Sequence, residues 1–364
     1  MDKLSKSKSS LSVQTIVLAE IAWAVAALLF FLLFSVTAPG EKRPFWYSAG
    51  TSFFESIAFL AAAFLCYRNW RSPQIVSGRN VWLCIGAGMF CYFIGNLLFS
   101  YWELSLGIEP DVSPGDFFFV LTYIFLIVGM ILAVASRRLN LEIWQWGIVA
   151  VIAALGIILA WAVSVPSGTV QSVLMQPVMA QTAPANKPAP KAQPANKANS
   201  KAAPAVKAKP APAPTAKATP ATTEKPLPVA PASAGAAPVA AEENPNVPEW
   251  AKSLGEILKP LKPILGWFYV ISDILLLIIA TTLLLAFWGG RFAQSWRMIG
   301  AAAFSLYIAD IWFKYATNRL PDYQSGGLLE VFWVFSGVLF GMGAALEYDL
   351  SSRSRSRTGR RRGT

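Results

Sequence analysis

This chain predicts an all-α fold, a polytopic integral membrane helical bundle of about eight transmembrane helices built around a duplicated three-to-four-helix unit. Three observations predict it. With 55 % hydrophobic residues and a mean hydropathy of +0.46, the chain carries more apolar surface than a soluble core of this length can hide. The apolar residues fall in runs near the length of about 20 that a helix needs to cross a bilayer. Residues 82–135 also lie over residues 296–349 without a gap, at a constant offset of 214.

The overlay places Trp82 on Trp296, Gly86 on Gly300, Phe90 on Phe304, Phe99 on Phe313, Tyr101 on Tyr315, Phe118 on Phe332 and Gly129 on Gly343. Within the same apolar runs Asn96 falls on Asp310, and Asp116 falls on Glu330. Polar groups are costly inside a membrane, so a repeat that keeps them in register repeats a site as well as a helix.

In chain order the runs place spans near 13–36, 46–67, 81–102, 116–135, 143–165, 264–288, 295–315 and 327–347. Residues 1–168 form a first membrane half of five spans, 169–248 a Pro/Ala/Lys-rich linker, 249–350 a second half, and 351–364 a basic tail. The first run follows Lys3, Lys6 and Lys8 as a signal peptide would, but it exceeds a typical signal core and Pro39-Gly40 is a poor cleavage context, so it reads as an anchor. On the last span Gly337 and Gly341, continued by Ala345, make a small-residue face that permits close helix approach, to an internal partner rather than a second copy.

Positive charge fixes the orientation. Arg68, Arg71 and Arg79, then Arg137 and Arg138, then Arg291 and Arg297, and the arginines from Arg353 to Arg362 all fall on one side if both termini are cytoplasmic. The loop after the third span has Glu103, Glu109 and Asp111 and no basic residue. The net charge of +11 is therefore topology plus one linker, and nucleic acid is not an expected partner. The Ser/Arg tail suits contact with anionic lipid headgroups, beyond its plainer part as a retention signal.

The chain has no His, which excludes His-ligated haem, the usual zinc sites and His phosphotransfer within it. Cys66, Cys84 and Cys91 lie inside spans, where Cys acts as a small packing residue. Without a nucleophile–base pair or a metal-ligand cluster, neither an enzyme nor a cofactor is expected.

The linker, almost all Ala, Pro, Lys, Thr and Asn, has the composition of a disordered chain with polyproline II character. Outside the cytoplasm it reads as a spacer of about 45 Å root-mean-square reach, or as a cationic strand touching anionic envelope polymer. After it, residues 248–265 set Trp250, Leu254, Ile257, Leu258 and Leu261 against Lys252, Glu256, Lys259 and Lys262. That pattern is an interfacial amphipathic helix, interrupted by Pro260 and Pro263, which fixes the entry angle of the sixth span.

Six polar residues stand out against this background. Glu55 and Asp273 sit at similar depth in spans that start outside, Asn96 and Asp310 in the outer half of spans that end outside, and Asp116 and Glu330 open spans that start outside. Two sets of three therefore meet in the extracytoplasmic half of the membrane, and they must face the bundle or a wet vestibule. Such a pocket suits a proton, a cation or a hydrogen-bonding ligand. Structural roles are also open to these residues: Asp116 and Glu330 suit the positive end of a helix dipole, and Asn96 and Asp310 suit hydrogen bonding between helices. Glu20 lies apart, nearer the cytoplasmic face.

The run from Gly95-Asn96 through Tyr101-Trp102-Glu103, Pro110 and Ser113-Pro114-Gly115-Asp116 to Tyr123 and Gly129 resembles the eight-span membrane sensor region at the amino end of many bacterial diguanylate cyclase, PAS and histidine kinase proteins. Ser272-Asp273, Ala309-Asp310, Tyr323, Gly326-Gly327, Glu330 and Trp333 resemble its second half. The resemblance implies ligand or membrane-state sensing in a bacterial inner membrane, coupled to a cytoplasmic output domain. Here only a short basic tail follows Tyr348, so the expected output is a separate protein partner in the membrane or cytoplasm. A membrane scaffold or assembly factor, and a small-solute or proton-coupled transporter, are the alternatives.

Overall fold

The computed structural model describes residues 12–37, 41–108, 112–135, 141–164, 247–287, 293–320 and 323–361; almost all of the predicted linker falls outside them. Every element among the described residues is helical. In order they are α1 (Val13–Phe34), α2 (Phe45–Arg71), α3 (Arg79–Ser100) continued by a π turn (Tyr101–Ser105), α4 (Gly115–Ala135) and α5 (Ile143–Ser164). Then come α6 (Glu249–Leu258), a 3-10 turn (Lys259–Leu261), α7 (Lys262–Ala286), α8 (Ala293–Arg319), a second 3-10 turn (Leu328–Glu330) and α9 (Val331–Arg361).

Local chemistry sets several of these ends. The Ser12 side chain accepts from the Thr15 N–H at 3.1 Å and caps α1. Pro44 precedes α2, and Arg68 and Arg71 in its last turn complement the negative end of its dipole. Pro263 sits in the first turn of α7, where no intrahelical donor is missed. The 3-10 turn absorbs Pro260, so the amphipathic segment runs straight into the span it precedes. The boundary expected at residue 350 is not a break, because α9 continues to Arg361.

Counting α6 with α7, seven segments are long and apolar enough to cross a membrane. The remaining long helix, α8, carries Arg297, Asp310 and Lys314 and has the lower apolarity of a helix surrounded by protein. It buries Trp296, Ile299, Ala303, Leu306 and Ala309 against its neighbours. By contrast α1 and α5 present Leu18, Leu33, Val151, Leu155 and Ile158 outward, as lipid-facing helices do.

α3 packs on α2 and α4, and α8 packs on α7 and α9. Two further contacts cross between these groups, α4 with α7 and α9 with α2. α1 leans on α9 and α2, and α5 on α7 and α8. At the centre Trp82 meets Trp296 with ring centroids 6.2 Å apart, and Phe99 meets Phe313 at 6.5 Å. The small-residue face of α9 is used internally: Gly337 lies against Ala58 of α2, and Gly341 against the Glu20 carboxyl of α1.

At the end of the bundle where α2 finishes and α3 begins, the connecting loop is pinned to α9. Ser77 Oγ donates to Glu347 Oε1 at 2.7 Å and accepts from the Trp82 indole at 2.8 Å, while Asn69 Nδ2 donates to the Ala344 carbonyl at 2.8 Å. Ser77→Ala leaves the fully buried Trp82 N–H without this acceptor, and a stranded buried donor costs about 1–3 kcal/mol. A lower unfolding temperature in detergent is the expected result; an unchanged melt would show that the loop and α9 are not mechanically joined here.

Candidate functional site

The helix packing leaves a cavity of about 540 Å³ at the opposite end, where α2, α4, α7 and α9 begin and α3 and α8 finish. All six residues singled out from the sequence line it: Glu55, Asn96, Asp116, Asp273, Asp310 and Glu330. They do not do the same work there. Glu20, buried against α9, lies outside it.

Glu330 and Asp116 hold backbone. Glu330 accepts from the Gly326 and Gly327 N–H groups at 2.7 and 3.0 Å, closing the turn that leads into α9. That turn needs glycine at 326, where φ is +102°. It is tied to the start of α2 by Tyr47, whose hydroxyl donates to the Gly326 carbonyl at 2.7 Å, and by Arg43, which donates to the Ser325 carbonyl at 2.8 Å. Asp116 caps α4 by accepting from the Ser113 N–H at 2.7 Å, and its other oxygen accepts from the Tyr269 hydroxyl of α7 at 2.6 Å. The structural role open to these two acids is thus the one their hydrogen bonds fill.

Asn96 joins α3 to α2, donating to the Ser52 carbonyl at 3.2 Å and to Ser56 Oγ at 3.0 Å. Glu55 accepts from the Tyr92 hydroxyl at 2.6 Å. Asp273 and Asp310 share one partner, since the Tyr123 hydroxyl lies 2.6 Å from Asp273 Oδ1 and 2.6 Å from Asp310 Oδ2. The Tyr123 hydroxyl is thus the common partner of two carboxyl groups on different helices. Asp310 Oδ1 also accepts from the Trp333 indole at 2.8 Å, so α4, α7, α8 and α9 are joined at this point. Among the described residues, no group of three or more His, Cys, Asp or Glu is arranged to hold a metal ion.

The sequence reading missed Tyr92, Tyr269 and Lys314 as parts of the cavity wall. A signal was present. Tyr92 precedes Asn96 by four residues, Tyr269 precedes Asp273 by four, and Lys314 follows Asp310 by four, a spacing that puts each on the face of its polar neighbour. Lys314 Nζ donates to the Gly266 carbonyl at 3.3 Å, and Lys262 is the other lysine of the wall. Glu103 lines the cavity too, held within the π turn; the adjacent Trp102 turns away and is buried against Ala251 of α6 and Leu106. That contact seats α6, whose Trp250 and Ile257 are exposed. π turns of this kind recur at functional sites.

The arrangement offers an acid-rich wall set among aromatic rings, with Tyr92, Tyr123, Tyr269 and Trp333 all reaching it. Its volume is that of a small-molecule site. Compared with protein-family models, with curated proteins and with solved structures, the chain matches none.

Proposed function

We propose that this chain is a receptor of the bacterial inner membrane that takes a small cationic or hydrogen-bonding ligand from the extracytoplasmic side and passes its state to a separate protein partner. The observation that carries the reading is the cavity itself. Glu55, Asp273 and Asp310 join helices through Tyr92 and Tyr123 and at the same time border about 540 Å³ of open space, which a purely structural contact does not need. The orientation rests on Arg68, Arg71 and Arg79 gathering at the far end from these acids, which makes that end cytoplasmic. α9 supplies the route. It starts beside Glu330 and Trp333 at the cavity, passes the Ser77–Glu347 contact, and runs for 31 residues, about 46 Å, with its last turns inside the basic tail.

The duplication supports a site built at the seam of two related halves. Trp82 and Trp296, and likewise Phe99 and Phe313, are overlay partners that touch each other. The α4–α7 and α9–α2 contacts are reciprocal under the same overlay, with the last helix of each unit meeting the first of the other.

The test is the pair of amide substitutions Glu55→Gln and Asp273→Asn. An amide fills the same space, can still accept from Tyr92 or Tyr123, and removes the charge. The expected outcome is a normal amount of folded protein in the membrane and no complementation of a deletion strain. Full complementation by the double variant rejects the receptor reading and favours the scaffold.

A further inference from the structure

A second concavity lies on the outside of the bundle, between α2 and α3, and none of the six polar residues is near it. Its volume is about 330 Å³. Leu60, Phe64 and Tyr67 form one wall and Leu83, Ala87 and Phe90 the other. The floor is made where the helices nearly touch, since a Cβ at Gly86 would lie 2.9 Å from the Cys66 Cβ. Phe64 is 66 % exposed and Phe90 51 %, so the walls stand out from the surface that faces lipid. From Phe90 to Leu83 and Trp82 the groove follows α3 for about 12 Å. That approaches the depth of one leaflet, half of a hydrocarbon core of about 30 Å.

What distinguishes this groove from the rest of the lipid-facing surface is its cytoplasmic end. On α2 the wall residues Leu60, Phe64 and Tyr67 are continued by Arg71, at steps of four, three and four. On α3 the wall residues Leu83, Ala87 and Phe90 are preceded by Arg79, at steps of four, four and three. Helical spacing therefore sets one arginine at the head of each wall. Both are exposed, and Arg79 Nε donates to the Trp70 carbonyl at 2.6 Å, which fixes the base of its guanidinium between the two helix ends.

We propose that the groove seats one acyl chain of an anionic phospholipid, with the phosphate of its headgroup held by Arg71 and Arg79. A wall of carbon meets the chain, and two cations meet the charge at the depth where headgroups lie. Neutral phospholipids fit the same groove but gain less at its end. A site of this kind reads the anionic lipid content of the cytoplasmic leaflet.

The experiment is native mass spectrometry of the detergent-purified full chain, titrated with phosphatidylglycerol and, separately, with phosphatidylcholine of the same acyl chains. Wild type is expected to retain one phosphatidylglycerol preferentially. Arg71→Gln with Arg79→Gln, both at exposed positions, is expected to lower that retention about tenfold, to the level of phosphatidylcholine, in a protein that still folds and whose melting temperature falls only slightly. Ala87→Phe, which fills the groove, is expected to reduce binding of both lipids. Equal retention of the two lipids by wild type, or phosphatidylglycerol retention untouched by the double arginine change, overturns the proposal. Retention untouched by Ala87→Phe overturns the acyl seat.

Discussion

Gly337→Leu is expected to give the largest loss of stability of any single glycine change on α9. A Cβ at this position would sit 2.9 Å from the Ala58 Cβ, 3.0 Å from the Ala58 carbonyl carbon and 3.1 Å from the Phe59 nitrogen. Two of these three atoms are backbone of α2 and cannot swing aside, so α9 must move off α2 to admit the side chain. Overpacking of this kind costs about 1–3 kcal/mol and sometimes more, and three further carbons beyond Cβ place this case at the upper end. Gly341→Leu is a softer change, because its Cβ meets the far end of the Glu20 side chain, 2.7 Å from Oε1, and that carboxyl can rotate. Gly147→Leu is the control, since nothing lies within 4 Å of a Cβ there. Thermal unfolding of the three purified variants should rank Gly337→Leu lowest and leave Gly147→Leu at the wild-type value; a Gly337→Leu melt equal to the control contradicts the internal packing of α9.

Tyr123→Phe carries the second large effect. The substitution keeps the ring and removes the hydroxyl that lies 2.6 Å from each of two carboxyl groups. Asp310 keeps the Trp333 indole as a donor, and Asp273 loses its Tyr123 contact. An ordinary hydrogen bond contributes about 0.5–1.5 kcal/mol and a buried group left without its partner costs about 1–3 kcal/mol, so the expected cost is about 2 kcal/mol. Adding Asp273→Asn to the Phe variant removes one of the two facing acids and supplies an amide donor beside Asp310. Recovery of about half the lost stability in the double variant identifies the polar contact as the cause. If the double variant is less stable than Tyr123→Phe alone, loss of the hydroxyl contact to Asp273 does not explain the effect.

The helices could be read from the chain because membrane spans announce themselves by length. Each of the eight expected spans lies on a helix of the bundle, with ends displaced by a few residues, except that the last helix runs on to Arg361, well past the expected end at 347. Pro263 is inside α7, and Arg68 and Arg71 are inside α2, because the first and last turns of a helix tolerate both. The polar constellation was readable for the same reason, since Asp310 or Glu55 within an apolar run has few explanations. What each member does was not readable. Asp116 and Glu330 suit the positive end of a helix dipole by position alone, yet their oxygens close turns at Ser113 and at Gly326-Gly327, and those bonds depend on loop conformation. Tyr92 and Tyr269 were passed over because tyrosine is ordinary at a membrane interface; only their spacing of four from Asn96 and Asp273 set them apart. The groove between α2 and α3 was hidden for another reason. It is made by residues that are absent, at Gly86 and Ala87, and a missing side chain has meaning only when its neighbours in space are known.

The low apolarity of α8 bears on how the protein is made. Ionisable residues within a span raise the cost of insertion, so Asp310, with Lys314 closer to the helix end, makes α8 a poorer substrate for entry by itself. Synthesis delivers α4 first, and with it the Tyr123 hydroxyl that meets Asp310. The early half of the chain thus waits in the bilayer as a template, and the long segment between α5 and α6 gives it time to assemble before α8 leaves the ribosome. A truncated chain that starts at α6 would present Asp310 to lipid with no such template, and its natural fate is retention at the translocon or proteolysis. Birth order, together with hydropathy, thus bears on how a helix that carries Asp310 and Lys314 joins the bundle.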